Sequence, residues 1–97
     1  MVRIHHHGPH DVRLTTGRYP NGRLAVQLTE HGEPFATVSV NIPEVPLARD
    51  EFFVKVYSEN EGLLDELLRV GAIHFTGRRL QTHLGPTPVY RLPAHTR

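Results

Sequence analysis

The sequence predicts an α+β fold, an antiparallel β-sheet of four to six strands with one amphipathic α-helix packed on one face. Three observations predict it. Apolar residues alternate with polar ones in RLAVQLT (23–29) and FATVSVNI (35–42), the period of a half-buried strand. Asn21-Gly22 precedes the first of these, and Asn-Gly supplies the positive backbone angles of a tight hairpin turn. Leu63, Leu64, Leu67 and Leu68 recur at helical spacing before Gly71.

Along the chain, residues 1–10 read as a flexible histidine-rich tail, residues 11–92 as a single domain, and residues 93–97 as a second tail. Within the domain, VRLTTGRY (12–19) carries β-branched residues in weak alternation and forms a first strand. It closes a meander with 23–29, where Leu24, Val26 and Leu28 face inward, and with 35–42, where Ala36, Val38, Val40 and Ile42 do so. Pro43 and Pro46 then interrupt backbone pairing. EFFVKVY (51–57) is a fourth strand with Phe52, Val54 and Val56 on one face and Phe53, Lys55 and Tyr57 on the other. Ser58-x-x-Glu61 is a capping box that opens the helix, and Gly71 fits a left-handed C-terminal cap. Short strands are expected at 72–76, 80–84 and 89–92. Gly77-Arg78-Arg79 forms a turn or bulge, and Gly85-Pro86-Thr87-Pro88 forms a break.

Charge is distributed in blocks. Residues 1–29 carry four arginines and one acid, residues 30–66 carry nine acids and two bases, and residues 67–97 carry five arginines and no acid. The near-neutral total of +1 therefore hides a strongly acidic centre between basic ends. A fold that pairs the ends with the middle neutralises much of it. An acidic mimic of nucleic acid is set against that pairing, and such mimics are strongly acidic overall, which this chain is not.

The chain has no cysteine, which excludes disulfides, thiolate metal sites and cysteine nucleophiles. No apolar run reaches the roughly 20 residues of a membrane-spanning helix, so a cytoplasmic protein without membrane contact is expected. It carries no glycine-rich phosphate loop, HExxH or GxSxG, so no enzymatic activity and no cofactor are expected. His5-His6-His7 and His10 lie in the expected tail without enforced geometry, and no metal site is assigned to them.

Two groups remain as candidate binding surfaces. Phe53, Lys55, Tyr57, Glu59, Asn60 and Glu61 cluster at the strand-to-helix corner. The capping box accounts for Ser58 and Glu61 but not equally for Lys55, Tyr57 and Asn60. Glu59 and Glu61 oppose a phosphate there, so a protein partner with basic character is expected. Arg78, Arg79 and Arg91 form the alternative, an anion or nucleic-acid patch. No helix-turn-helix or zinc finger accompanies them, and only Phe75 and Tyr90 lie near for base stacking, so direct nucleic-acid contact is the lesser expectation.

The segments YPNGRLAVQL, GEPFATVSVNIPEVPL, FVKVYSENEGLLDELLRVG, TGR and PVYRL together resemble a small domain family of unknown function carried by plasmids, integrative elements and phages. The resemblance runs from about Tyr19 to Leu92. It is most specific at Lys55, Tyr57, Ser58, Glu59, Asn60, Glu61 and Gly62, with Val56 standing where the family usually has an acid. The resemblance implies a mobile-element context and no site. The expected function is a non-enzymatic accessory protein that inhibits a host factor by protein–protein binding, as an anti-defence protein such as an anti-CRISPR. The alternative is a small nucleic-acid- or nucleotide-binding regulatory module. A sheet face left open by the single helix, carrying Phe35, Phe53 and Tyr57, suggests a homodimer.

Overall fold

The computed structural model describes residues 2–54 and 62–94. Its eight strands are β1 (Val2–His5), β2 (Pro9–Arg18), β3 (Leu24–Glu30), β4 (Glu33–Thr37), β5 (Ser39–Val40), β6 (Glu51–Val54), β7 (His74–Thr82) and β8 (Gly85–Arg91), with one helix, α1 (Leu63–Arg69), between β6 and β7. They make two four-stranded antiparallel sheets, ordered β1-β2-β3-β4 and β5-β6-β8-β7. The fold is thus mostly β, with two sheets in place of the single sheet expected and a helix of only seven residues.

The expected tail is a hairpin. Val2–His5 pairs with Pro9–Val12, and Ile4 and Val12 are completely buried. Arg3 stands directly opposite Asp11 and donates to both its carboxylate oxygens at 2.8 Å. The histidine run masked a short alternation, in which Ile4 points inward between Arg3 and His5.

One expected strand, 35–42, turns the corner between the sheets. It pairs with β3 up to Thr37, and Val38 still donates its N–H to the Val26 carbonyl at 2.9 Å. At Ser39 the chain leaves the first sheet and joins β6 in the second. The buried Ser39 hydroxyl closes the seam by accepting the Val26 N–H at 2.9 Å, and it lies 2.8 Å from the Tyr19 hydroxyl. A side chain here takes the place of a ladder carbonyl, which satisfies a buried donor that the strand break would otherwise orphan.

The main core lies where the sheets and the helix meet. Leu24, Val26 and Leu28 supply β3's inward face as the alternation predicts, joined by Phe52, Val54, Leu63, Leu67, Ile73 and Tyr90. Leu63 and Leu67 of the leucine stripe are buried, with Leu64 and Leu68 half-buried beside them. The helix starts later than expected. Gly62, its N-cap, has φ 83°, a left-handed angle that no α-helical residue has, so the first turn begins at Leu63. The capping box at Ser58–Glu61 falls outside the described residues. The C-terminus is as expected. Gly71 has φ 75° and donates to Leu68 O at 3.1 Å, while Ala72 donates to Leu67 O at 2.9 Å, the paired bonds of a Schellman cap. Glu66 ties this helix to β1 by accepting the His5 N–H at 2.6 Å.

A second, smaller core lies on the other side of β6, where Phe53, Ile42 and Val89 are buried beneath Val40, Val45, Leu47 and Leu80. The proline-rich 40–47 segment folds over that face. The face of β6 that carries Phe53 is therefore covered by the chain itself, Phe35 lies on β4 in the other sheet, and Tyr57 falls outside the described residues. Phe53 is 1% exposed. Phe53→Ala leaves a cavity there and is expected to lower the unfolding free energy by about 3–5 kcal/mol in a denaturant titration.

Candidate functional site

Of the first group of candidate residues, Phe53 alone lies among the described residues. It is a core residue and cannot touch a partner without opening the second core. Lys55, Tyr57, Glu59, Asn60 and Glu61 fall outside the described residues.

The three arginines of the second group do not form one patch. Arg78 is committed to Glu51, with Nη1 to Oε2 at 2.8 Å and Nη2 to Oε1 at 3.1 Å. Glu51 opens β6 and is buried. Burial by itself raises its carboxyl pKa. The Arg78 hydrogen bonds, the Ala48 N–H at 2.9 Å and the charges of Arg78 and Arg91 outweigh that and hold it below its ordinary value. Arg91 lies 3.9 Å from Asp50. Register separates it from Arg79. Arg79 pairs with Pro88, on the Tyr90 face of the sheet, whereas Arg91 falls on the opposite face with Glu51.

Arg79 has a different setting. β7 carries a bulge in which Phe75 to Arg79 stands against Tyr90 to Pro88, so four steps of one strand oppose two of the other. Gly77 turns through φ 86°, and Thr76 Oγ1 donates to Val89 O at 2.8 Å and accepts the Arg78 N–H at 3.2 Å. Phe75 and Arg79 are thereby brought to neighbouring positions on one face, and the guanidinium sits 5.1 Å from the Phe75 ring centroid. Phe75 also leans on Tyr90 at 5.5 Å and remains 40% exposed. Phe75 and Leu84 are the two exposed large hydrophobic side chains among the described residues. In the sequence Phe75 stood out only as an aromatic near the arginines. The Gly77 that makes the bulge was the available signal.

Several acidic side chains meet basic ones or histidines across elements. Glu51 meets Arg78, Asp50 meets Arg91, Glu44 meets His83, Glu30 meets His10 and Asp11 meets Arg3. Glu66 binds Arg69 and the His5 amide, which hold its carboxyl down at about 2. Three carboxylates of the acidic centre, Asp50, Glu51 and Glu66, thus face arginines of the C-terminal block.

The described histidines do not converge on a metal-binding geometry. His10 Nδ1 lies 2.9 Å from Glu30 and its ring 4.8 Å from that of Phe35. Among the described residues no group of three or more His, Asp or Glu side chains is placed to hold a metal ion. A surface depression of about 330 Å³ is lined by Asp11, Arg13, Thr29, His31 and Gly32. Its one carboxylate is occupied by Arg3, which holds the Asp11 carboxyl below its ordinary value chiefly by hydrogen bonding. No helix among the described residues is long and apolar enough to cross a membrane.

No protein-family model matches this chain, and no curated protein and no solved structure does so either.

Arg78→Met leaves the buried Glu51 carboxylate with the Ala48 amide and the more distant charge of Arg91. With Arg78 itself half exposed, the expected loss is about 2 kcal/mol at pH 7. Glu51's pKa is depressed by folding, so its contribution is present above the ordinary carboxylate value of 4.5 and disappears as pH falls through the folded value. Denaturant melts from pH 7 to pH 3 are expected to show the gap between the parent and Arg78→Met narrowing below about pH 4.5.

Proposed function

We propose that this chain is a non-enzymatic accessory protein that acts by binding a protein partner, and that the contact surface is β7 around Phe75 and Arg79. The observation that carries this reading is the exposed Phe75 ring under a guanidinium that has no carboxylate partner among the described residues. Exposed aromatic–arginine pairs are the side chains enriched at protein interfaces. The nucleic-acid alternative is weaker, because Arg78 and Arg91 are engaged by carboxylates and lie apart from Arg79.

The proposed partner is a host factor, inhibited by occupation of its surface, with a defence component such as a CRISPR effector as the leading class. Support for that identity comes from the resemblance of residues 19–92 to a mobile-element domain family, and from no feature of the site.

The test is capture from host lysate with the protein tagged at its C-terminus, beside the Phe75→Ala, Arg79→Ala double variant. A stoichiometric protein is expected to be retained by the parent and lost with the variant, and purified partner is expected to bind the variant at least about tenfold more weakly in titration. Equal retention by both, with unchanged melting temperatures, contradicts the assignment of this surface.

A further inference from the structure

The free edge of β7 carries an inference that rests on the binding reading above and deepens it. β7 ends the order β5-β6-β8-β7, so its outer edge is unpaired among the described residues. The prolines of β8 fix which backbone groups that edge presents. Arg79 pairs with Pro88 and Gln81 with Pro86. A proline has no N–H, so these two are the non-hydrogen-bonded pairs of the antiparallel ladder, and Leu80–Thr87 and Thr82–Gly85 are the bonded ones. In a non-hydrogen-bonded pair the N–H and C=O of both residues point away from each other. Arg79 and Gln81 therefore direct their N–H and C=O groups outward, two donors and two acceptors at the spacing of an incoming strand.

The side chains define what that strand carries. Arg79 stands beside this edge over the half-exposed Phe75, with no carboxylate partner among the described residues. A second copy of the chain is a poor occupant, since antiparallel pairing of β7 with itself around this point brings Arg79 near its own counterpart. The bulge and the arginines also blunt this edge against self-pairing.

We infer that the edge of β7 at Arg79–Gln81 is a strand-addition site for an extended acidic segment of a protein partner, held by backbone bonds to Arg79 and Gln81, with a carboxylate on the Arg79 guanidinium and an apolar side chain on Phe75. Main-chain bonds supply the docking and the side chains the selectivity, as in other strand-addition complexes.

The probe is a synthetic eight-residue peptide alternating Glu or Asp with Val and Tyr, compared with its lysine-substituted counterpart. Amide hydrogen exchange of the full chain, read by NMR, is expected to slow at Arg79 and Gln81 when the acidic peptide is added, and not with the lysine peptide. Arg79→Glu is expected to weaken the acidic peptide by at least about tenfold and to admit the lysine peptide. Gln81→Pro removes one outward donor without breaking a bond to β8. It is expected to abolish the protection while leaving the melting temperature within a few degrees of the parent. Several outcomes overturn the inference. One is an absence of slowing, or slowing elsewhere in the chain. Another is slowing of the same amides on dimerisation without peptide. A third is tighter binding of a single-stranded oligonucleotide at the same amides. If the peptide fails while Phe75→Ala, Arg79→Ala still loses the captured partner, strand addition is wrong and the surface stands. If neither responds, both readings fall.

Discussion

The architecture depends on β6 being buried on both faces. All four of its residues, Glu51 to Val54, are buried. Phe52 and Val54 enter the main core, Phe53 enters the second, and Glu51 brings a carboxylate into a place where an uncompensated charge is costly. Each of these burials constrains another part of the chain. Phe53 requires the 40–47 segment to fold back as a cover. Glu51 requires the amide of Ala48, just beyond that segment, and a guanidinium from β7. The Arg78 that answers it sits in the β7 bulge, so the need to neutralise β6 and the shape of the exposed edge are one arrangement.

That arrangement separates the arginines by role. Three basic residues within fourteen positions read as one patch in the sequence, yet strand parity sends Arg79 and Arg91 to opposite faces, and the bulge turns Arg78 inward to Glu51. The remaining cation, Arg79, is placed on an aromatic ring beside free backbone groups. A protein surface that offers a guanidinium, an aromatic face and an unpaired edge together suits an extended polypeptide better than a phosphate backbone, which is held by several converging cations.

Much of the fold was legible because it depends on local chemistry. The β3 alternation, the leucine stripe, the glycine cap at Gly71 and the bulge at Gly77-Arg78-Arg79 all follow from the side-chain period or from glycine's access to positive φ. What was not legible depends on distant partners. Nothing local says that Ser39 replaces a ladder carbonyl for Val26 and so splits one strand between two sheets. The histidine run hid the Val2–His5 strand, because its one fully buried side chain is Ile4 and its partner begins at a proline. Phe53 looked outward because strand parity gives opposite faces but not whether a later segment covers one of them. Pro86 and Pro88 read as a break. At alternate positions on β8, outside the stretch that β6 reaches, their missing N–H groups take no bond from the ladder, and the strand continues through them.

The most direct measurement is native-state hydrogen exchange of the isolated protein, resolved residue by residue. The slowest amides are expected in β6 and in the β8 residues Val89–Arg91 that pair with it, exchanging only through global unfolding, while Arg79 and Gln81 exchange close to the rate of an open chain. Protection of Arg79 and Gln81 comparable with that of β6 contradicts this, because the edge is then already covered in the free protein and has no backbone groups left to offer a partner.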